Sequence, residues 1–245
     1  MIVRISIAPM HAEPRVSSPQ VSQRLAGHAV TVLATDGDWH RVRGEDGYEG
    51  WMHRGYLDLT DAEGTSRLLS LGCVVRTPTN TYPLPLGAWV PDDGIVLSGE
   101  AVDAQTRSFA FPREASAIAA SAVARWQGTP YQWGGVSPWG ADCSGLVQST
   151  FWLHGLVVPR DAWQQAELGE DAGAEVPGWR AGDLLFFSDR ADRRITHVGI
   201  SLGQQHMVHL ALGRGGYAVE RLDAKSDDYV SSLMSRFIVA KRLRT

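Results

Sequence analysis

The chain has 245 residues, of which 44% are hydrophobic and 20% charged, a composition typical of a globular protein with one to three domains. A net charge of −4 without blocks of like charge argues against nucleic acid or an anionic membrane as partner, and no apolar run is long enough to span a bilayer. Because Cys73 and Cys143 are the only cysteines, a disulfide framework and a thiolate zinc cluster are excluded.

The N-terminal sequence MIVRISIAPMHAEP lacks the long apolar core and the small-residue cleavage site of a secretion signal. We therefore expect a cytoplasmic protein, or one from which a leader has been trimmed. The first sixty residues predict an all-β segment, because short alternating runs such as HAVTVLA and WHRVRG are separated by turn signals such as GEDG. A second segment, from about residue 65 to 110, has a similar pattern, so each segment is predicted to form a small barrel.

Two helices are predicted after this β-rich part. The alanine-rich run EASAIAASAVARWQ at residues 114–127 has helical spacing and is followed by Gly128. The second predicted helix runs from Cys143 to His154. Its buried face is predicted to consist of Leu146, Val147, Thr150 and Phe151. Five predicted strands follow, with the sequences DLLFFS, HVGISL, MVHLAL, YAVERL and RFIVAKRL. Helices followed by antiparallel strands indicate an α+β domain.

Cys143 stands at the start of the second predicted helix, after the glycine-rich and aromatic-rich loop YQWGGVSPWGAD. Unpaired N–H groups and the helix dipole favour an anion there, and Asp142 is suited to cap the helix, so we expect the thiol to be biased toward thiolate. A buried cysteine is often a small core residue, and a disulfide with Cys73 would remove the nucleophile. The polar neighbours Asp142 and Ser144 favour the catalytic interpretation.

Two histidines lie in apolar, strand-like segments, His197 in THVGISL and His209 in MVHLAL. Alone, His197 would be interpreted as an inert core residue. A turn containing Gly203 separates the two segments, so paired antiparallel strands would bring the side chains together, with His197 accepting the thiol proton and His209 orienting it. A zinc site that adds His206 is disfavoured, because residues three apart on a strand point to opposite faces. We expect no metal and no cofactor.

Tyr131 lies twelve residues before Cys143 in the glycine-rich loop. A loop folded back on itself would place the phenol hydroxyl near the thiol, where it would bind substrate or stabilise an oxyanion. Packing of the aromatic ring within the loop explains the residue equally well. The sequence leaves both interpretations of Tyr131 open.

The segments YQWGG, DCSGLV, PRDAWQQ, GDLLFF, HVGISLG and MVHL resemble, in order and spacing, the NlpC/P60 family of papain-like cysteine peptidases. The resemblance covers about residues 115–245. It implies a papain-like α+β catalytic domain with the triad Cys143, His197 and His209, and it aligns Tyr131 with the tyrosine of the family's Y-x-W-G-G motif. Members of the family cleave peptidoglycan stem peptides, typically between D-glutamate and the diamino acid.

The N-terminal segments APMHAEP and WHRVRGEDGYEGW are similar to the first bacterial SH3 (SH3b) domain of the γ-D-glutamyl-L-diamino acid endopeptidases, the dipeptidyl-peptidase VI type within this family. In that subgroup an SH3b glutamate and tyrosine bind the free amino terminus of the substrate, and residues flanking the nucleophile contribute. The resemblance implies substrate-binding roles for Glu13, Tyr48, Asp142 and Ser144. It also implies two small all-β SH3b-like barrels at residues 1–62 and 63–112, followed by the catalytic domain at 113–245.

The subgroup implies a cysteine endopeptidase that cleaves the γ-D-Glu–diamino acid bond of murein-derived tripeptides or tetrapeptides with a free N-terminal L-Ala, in cell-wall recycling. We expect a monomer that binds neither nucleic acid nor membrane. An amidase or acyltransferase on the same scaffold, and an inactive module that binds wall peptides, remain alternatives. Where many members have Arg-Asp-Ser, this chain has Arg160-Asp161-Ala162, so a hydroxyl is absent there and the accepted diamino acid is left open.

Overall fold

The structure is a computed structural model that describes residues 1–58, 68–224 and 226–244. The chain divides into two compact units, Met1–Ala110 with Trp133–Trp139 and Phe111–Gln132 with Gly140–Thr245. The predicted boundary between residues 62 and 63 lies outside the described residues, and the division into three domains stays a prediction. No helix in the described part of the chain is both long and apolar enough to cross a membrane.

The first unit is built mainly of short antiparallel strands, as its alternating runs predict. The strands are β1 (Ile2–Val3), β2 (Ile7–His11), β3 (Gln20–Leu25), β4 (Val30–Asp36), β5 (Trp39–Gly44), β6 (Glu49–His53), β7 (Leu57–Asp58), β8 (Leu69–Arg76), β9 (Thr81–Leu84), β10 (Ile95–Val102) and β11 (Val136–Ser137). One helix, α1 (Ala104–Ala110), follows β10, and the sequence pattern did not predict it.

Two sheets of the first unit each cover an apolar cluster. The larger sheet has the strand order β3-β2-β6-β5-β4, and the smaller has the order β10-β8-β9. The cluster of the larger sheet includes Val3, Ala8, Met10, Val42 and Met52, and that of the smaller sheet includes Val75, Leu84, Ala88 and Val90. The N–H of Trp89 donates to the carbonyl of Ala26 at 2.9 Å, so the two sheet segments are joined within one unit.

The second unit combines an antiparallel sheet with helices, which confirms the predicted α+β class. Its helices are α2 (Ala115–Trp126), α3 (Cys143–Leu153), α4 (Ala162–Gln165) and α5 (Asp228–Ser235). Its strands are β12 (Gly140–Ala141), β13 (Glu170–Asp171), β14 (Leu184–Phe187), β15 (His197–Gly203), β16 (His206–Ala211), β17 (Gly216–Arg221) and β18 (Phe237–Arg242). The sheet order is β13-β18-β14-β15-β16-β17. Both predicted helices and all five predicted strands are present, whereas the short helix α5 was not predicted.

Helix α3 runs through the main apolar cluster of the second unit. The predicted face formed by Leu146, Val147, Thr150 and Phe151 is confirmed, since each of these residues is 0% exposed. Trp126 of α2 and Val198 of β15 belong to the cluster that surrounds the helix. Because α3 packs against both α2 and β15, its first residue is held at a defined position beside the sheet.

Removing a core side chain of α3 tests this packing. We expect Phe151→Ala to lower the free energy of unfolding of the second unit by about 3–5 kcal/mol, because a buried phenylalanine leaves a cavity. The matched control is Phe109→Ala, which truncates a ring that is 89% exposed and should change stability by less than about 0.5 kcal/mol. Urea denaturation followed by circular dichroism measures both variants, and equal midpoints would contradict the packing described here.

Candidate active site

Cys143 is the first residue of α3, and the residue before it caps the helix. The Oδ1 atom of Asp142 accepts a hydrogen bond from the N–H of Gly145 at 2.8 Å, which confirms the predicted cap. The N–H of Cys143 has no acceptor within the helix, because the first four N–H groups of an α-helix lack one. An N–H at this position is suited to bind the oxyanion that develops on a substrate's carbonyl oxygen when the sulfur attacks.

The thiol occupies a buried position beside strand β15. Cys143 is 6% exposed, and its Sγ accepts hydrogen bonds from the backbone N–H groups of Ser144 and Val198. Burial raises the pKa of Cys143 to about 12, and the nearby carboxylate of Asp142 acts in the same direction. The predicted bias toward thiolate is therefore wrong for the free protein, because the loss of water around the sulfur outweighs the N–H groups that favour the anion.

His197 and His209 lie side by side on β15 and β16, as predicted. The Nε2 atom of His197 is 2.8 Å from the Nδ1 atom of His209, and the ring centroids are 5.0 Å apart. The antiparallel register of the strands places the two residues at diagonal positions on one face of the sheet. The N–H of Val198 reaches the sulfur of Cys143, so the strand that carries His197 runs beside the nucleophile.

The protonation states of these groups suit general-base catalysis. Burial, and next the neighbouring His209, lower the pKa of His197 to about 3, so the ring is neutral at physiological pH. A neutral imidazole beside a neutral thiol is the resting state that the two pKa shifts favour. His197 then accepts the thiol proton as the sulfur attacks, so that proton transfer and bond formation occur together.

A buried carboxylate lies behind His209, and sequence reasoning did not identify it. The Oε1 atom of Glu220 is 3.3 Å from Nε2 of His209 and 2.7 Å from Nε of Arg214. Burial opposes the charge, yet hydrogen bonds from His209 and Arg214 lower the pKa of Glu220 to about 2. The available signal was a glutamate within the apolar strand YAVERL, because a carboxylate buried in a sheet requires a partner.

His206 stands apart from the histidine pair. Its Nδ1 atom is 2.7 Å from the carbonyl oxygen of Gln204, within the turn between β15 and β16. Among residues 1–58, 68–224 and 226–244, no three His, Cys, Asp or Glu side chains are grouped closely enough to hold a metal ion.

Asp142 and Ser144 are held by a buried arginine, which sequence reasoning noted only as part of a motif. The guanidinium of Arg160 donates to Oδ1 of Asp142 at 3.0 Å and to Oδ2 at 2.7 Å. It also donates to Oγ of Ser144 at 2.8 Å. All three residues are buried, so this network fixes the start of α3. The substrate-binding roles of Asp142 and Ser144 stay predictions.

The loop that carries Tyr131 folds back toward the nucleophile. The N–H of Gln132 donates to the carbonyl of Ala141 at 2.8 Å, two residues before Cys143, and the N–H of Tyr131 donates to the carbonyl of Gly215 at 3.0 Å. The half-buried ring packs against the cluster that contains Cys143. Burial raises the pKa of Tyr131, so the phenol stays protonated and is able to donate a hydrogen bond to an oxyanion.

Glu13 and Tyr48 belong to the first unit, whereas the catalytic residues belong to the second. The carboxylate of Glu13 forms an ion pair with Arg15 at 2.7 Å, and both side chains are more than half exposed. The N–H of Tyr48 donates to Oδ1 of Asp46 at 3.0 Å, while its ring packs on the cluster of the larger sheet. The roles of Glu13 and Tyr48 in substrate binding stay predictions.

A buried cysteine at a helix N-terminus, next to two paired strands that each carry one histidine of a hydrogen-bonded pair, defines this site as that of a thiol hydrolase. The chain belongs to the NlpC/P60 family. The NlpC/P60 family profile matches residues 128–233, and the profile of the bacterial SH3 domain matches residues 8–58. The predicted family is thereby confirmed, and the protein is a hydrolase of the NlpC/P60 peptidase type with an SH3 domain at its N-terminal end.

Similar proteins of known name cover different parts of the chain. The gamma-D-glutamyl-L-lysine dipeptidyl-peptidase of Bacillus subtilis strain 168 is 31% identical over 217 residues, which are 77% of this chain and 71% of that protein. The murein DD-endopeptidase MepS/murein LD-carboxypeptidase of Escherichia coli K12 is 40% identical over 93 residues, 38% of this chain and 47% of that protein. A crystal structure of an NlpC/P60 family protein from Bacillus cereus ATCC 10987 shares the fold, with a TM-score of 0.80 over 98% of both chains at 19% identity.

The ion pair at the start of α3 generates a stability prediction. We expect Arg160→Met to lower the free energy of unfolding by about 3–5 kcal/mol, because it leaves the carboxylate of Asp142 buried without its cation. Adding Asp142→Asn should recover part of that loss, since the remaining group is then neutral. The control is Arg190→Met, which breaks an exposed ion pair with Asp192 and should leave the denaturation midpoint unchanged. A double variant no more stable than Arg160→Met alone would contradict the account.

The raised thiol pKa generates a second prediction, tested in the free protein. A thiol whose pKa is raised carries less thiolate at neutral pH, so its alkylation by iodoacetamide should accelerate about tenfold per pH unit between pH 7 and 10. Cys73→Ala leaves Cys143 as the only cysteine, and mass spectrometry then gives the labelling rate directly. A rate that is already constant from pH 6 to 9 would show a preformed thiolate–imidazolium pair and refute the neutral resting state.

Proposed function

We propose that this protein hydrolyses the γ-D-Glu–diamino acid bond of murein-derived peptides that begin with a free L-Ala. The observation that carries the proposal is the arrangement of Cys143 at the start of α3 with the hydrogen-bonded pair His197–His209 beside it. Support for the bond comes from the dipeptidyl-peptidase of Bacillus subtilis, whose similarity extends over 77% of the chain. Its name specifies a γ-D-glutamyl-L-lysine bond.

In the first half of the proposed reaction, the sulfur of Cys143 bonds to the γ-carbonyl carbon of D-glutamate while Nδ1 of His197 takes the thiol proton. The oxyanion receives a hydrogen bond from the N–H of Cys143 and another from the hydroxyl of Tyr131. The carbon–nitrogen bond then breaks, and His197 gives its proton to the departing amine of the diamino acid. L-Ala-D-Glu remains bound to the sulfur as a thioester.

In the second half, a water molecule replaces the departed amine. His197 takes a proton from this water as its oxygen bonds to the thioester carbon. The carbon–sulfur bond breaks, His197 returns the proton to the sulfur, and L-Ala-D-Glu leaves as the free acid. His209 keeps the ring of His197 oriented in both halves through the 2.8 Å hydrogen bond between them.

Recognition of the substrate amine is proposed for the carboxylates of Glu13 and Asp142, with the hydroxyls of Tyr48 and Ser144. Carboxylates bind an ammonium group through charge-assisted hydrogen bonds, which favours peptides with a free amino terminus. Such peptides arise only after an amidase-class reaction has removed the glycan, so we propose a role in cytoplasmic cell-wall recycling. Ala162, which aligns with a serine in the family motif Arg-Asp-Ser, is buried at 8% exposure, and the proposal does not specify the diamino acid.

A second bond specificity is favoured by one observation. A stretch of 93 residues of the chain is 40% identical to an enzyme named for DD-endopeptidase and LD-carboxypeptidase activities. That similarity covers 38% of the chain, about half of the share matched by the dipeptidyl-peptidase. A tetrapeptide substrate with a C-terminal D-Ala separates the two, because removal of D-Ala and release of L-Ala-D-Glu give products of different mass.

The test is cleavage of L-Ala-γ-D-Glu-L-Lys-D-Ala and of its diaminopimelate analogue, followed by mass spectrometry. We expect release of L-Ala-D-Glu by the wild type, complete loss of activity in Cys143→Ala, and normal activity in the control Cys73→Ala. Release of D-Ala alone would favour the second bond specificity. No cleavage by the wild type would refute the proposed activity.

N-terminal acetylation of the same peptides tests amine recognition. We expect the acetylated peptides to be cleaved at least about 100-fold more slowly by the wild type, because the acetylated nitrogen carries no positive charge for the proposed amine-binding residues to recognise. Glu13→Gln and Tyr48→Phe should reduce this preference. Equal cleavage of free and acetylated peptides would remove the roles proposed for Glu13 and Tyr48 while leaving the peptidase intact.

A further inference from the structure

We propose that Glu220, held by Arg214, is a positioning residue that sets the catalytic tautomer of both histidines. Only the expected effect on kcat rests on the proposed peptidase activity, whereas the expected tautomers of the two rings do not. The carboxylate is buried, as is His209, at 5% and 0% exposure. Nothing in the triad chemistry requires a charged group at this depth, so its presence calls for a specific partner.

The sheet register brings Glu220 to the histidine pair. On β16 and β17, His209 lies opposite Ala218, and Met207 lies opposite Glu220. Glu220 therefore occupies a diagonal position on the same face of the sheet as His209. His197 is diagonal to His209 on the other side, so one row of side chains crosses three adjacent strands from Glu220 to His197.

The order of protons along this row follows from the carboxylate. An ionised carboxylate only accepts hydrogen bonds, so Nε2 of His209 must carry the proton directed at Glu220. In a neutral ring Nδ1 of His209 is then an acceptor, and Nε2 of His197 must donate to it across 2.8 Å. The remaining nitrogen, Nδ1 of His197, is left with its lone pair. That atom is the one that accepts the thiol proton in the proposed reaction.

Arg214 keeps the carboxylate charged and fixed. Its Nε and Nη2 atoms donate to the two oxygens of Glu220 at 2.7 and 3.0 Å. Nη2 also donates to Oδ2 of Asp227 at 2.8 Å, and the guanidinium lies 4.2 Å from the ring centroid of Tyr229. The other rings around His209 are those of His197 and Tyr229, at 5.0 and 6.2 Å. The arginine is therefore oriented by partners on both sides.

The carboxylate also matters once His197 has taken the proton. The imidazolium donates from Nε2 to His209, whose own Nε2–H remains directed at Glu220. The negative charge then stabilises the developing positive charge through one intervening ring. No bond is made or broken by Glu220, and it does not contact the substrate.

The variant that tests the inference is Glu220→Gln, which keeps the shape of the side chain. The amide of the glutamine is able to donate a hydrogen bond to Nε2 of His209. Nδ1 of His209 then carries the proton and donates to Nε2 of His197, so Nδ1 of His197 is protonated and cannot accept the thiol proton. We expect kcat on L-Ala-γ-D-Glu-L-Lys-D-Ala to fall about 100-fold or more, with KM little changed. The control Glu175→Gln replaces an exposed glutamate of the same unit and should keep wild-type kinetics.

The second readout is independent of substrate. Nitrogen-15 chemical shifts of the imidazole rings should show Nε2–H on both histidines in the wild type and Nδ1–H on both in Glu220→Gln. This measurement decides the inference even where no peptide is cleaved, so its failure is distinguishable from failure of the proposed function. Unchanged tautomers in a folded Glu220→Gln protein, or unchanged kcat with reversed tautomers, would overturn the inference.

Discussion

The buried ion pair between Asp142 and Arg160 fixes the position of everything else at the catalytic centre. The carboxylate of Asp142 caps α3 and accepts a hydrogen bond from the hydroxyl of Ser144. It also accepts hydrogen bonds from both terminal nitrogens of the Arg160 guanidinium. Burying two charges is costly, and good geometry with further hydrogen bonds offsets that cost. The arrangement holds the first turn of α3, and with it the sulfur of Cys143, against the strand that carries His197.

The same burial determines how the nucleophile works. The sulfur of Cys143 is buried and His197 is partly buried, and this burial disfavours both the thiolate and the imidazolium in the free protein. Charge develops only when a substrate carbonyl arrives, and the helix N–H groups and the histidine row then face that charge. The proposed chemistry therefore depends on hydrogen-bonding groups that are in place before the substrate binds. Because the resting thiol carries little thiolate, it should react slowly with oxidants and alkylating agents.

Local signals predicted the parts of the site that depend on local structure. Asp142 directly before Cys143 gave the helix start, and the Gly203 turn between two apolar runs gave the paired histidines. Arg160 and Glu220 were not identified as site residues, because nothing in the sequence around either residue marks Asp142 or His209 as its partner. The direction of the thiol pKa was wrong for a related reason: it depends on how many atoms pack around the sulfur, and the sequence of the helix start does not contain that information.

In the fold, too, features with a local sequence signal were predicted and features that depend on distant contacts were not. Alternating runs predicted the strands of both units, and alanine spacing predicted α2. Helices α1 and α5 have only 7 and 8 residues, which is too short for a helical repeat to stand out. Residues 133–139 lie in the middle of the glycine-rich loop and yet pack with the first unit, a long-range contact that no local pattern signals.

The central claim is that Cys143 forms a covalent intermediate with the glutamyl carbonyl. The most direct measurement is rapid quenching in acid after mixing the protein with L-Ala-γ-D-Glu-L-Lys, followed by mass spectrometry of the digested chain. We expect L-Ala-D-Glu bound as a thioester to the peptide that contains Cys143, at a level that rises before product release reaches steady state. Products that appear without any adduct on Cys143, or with an adduct on another residue, would contradict the account.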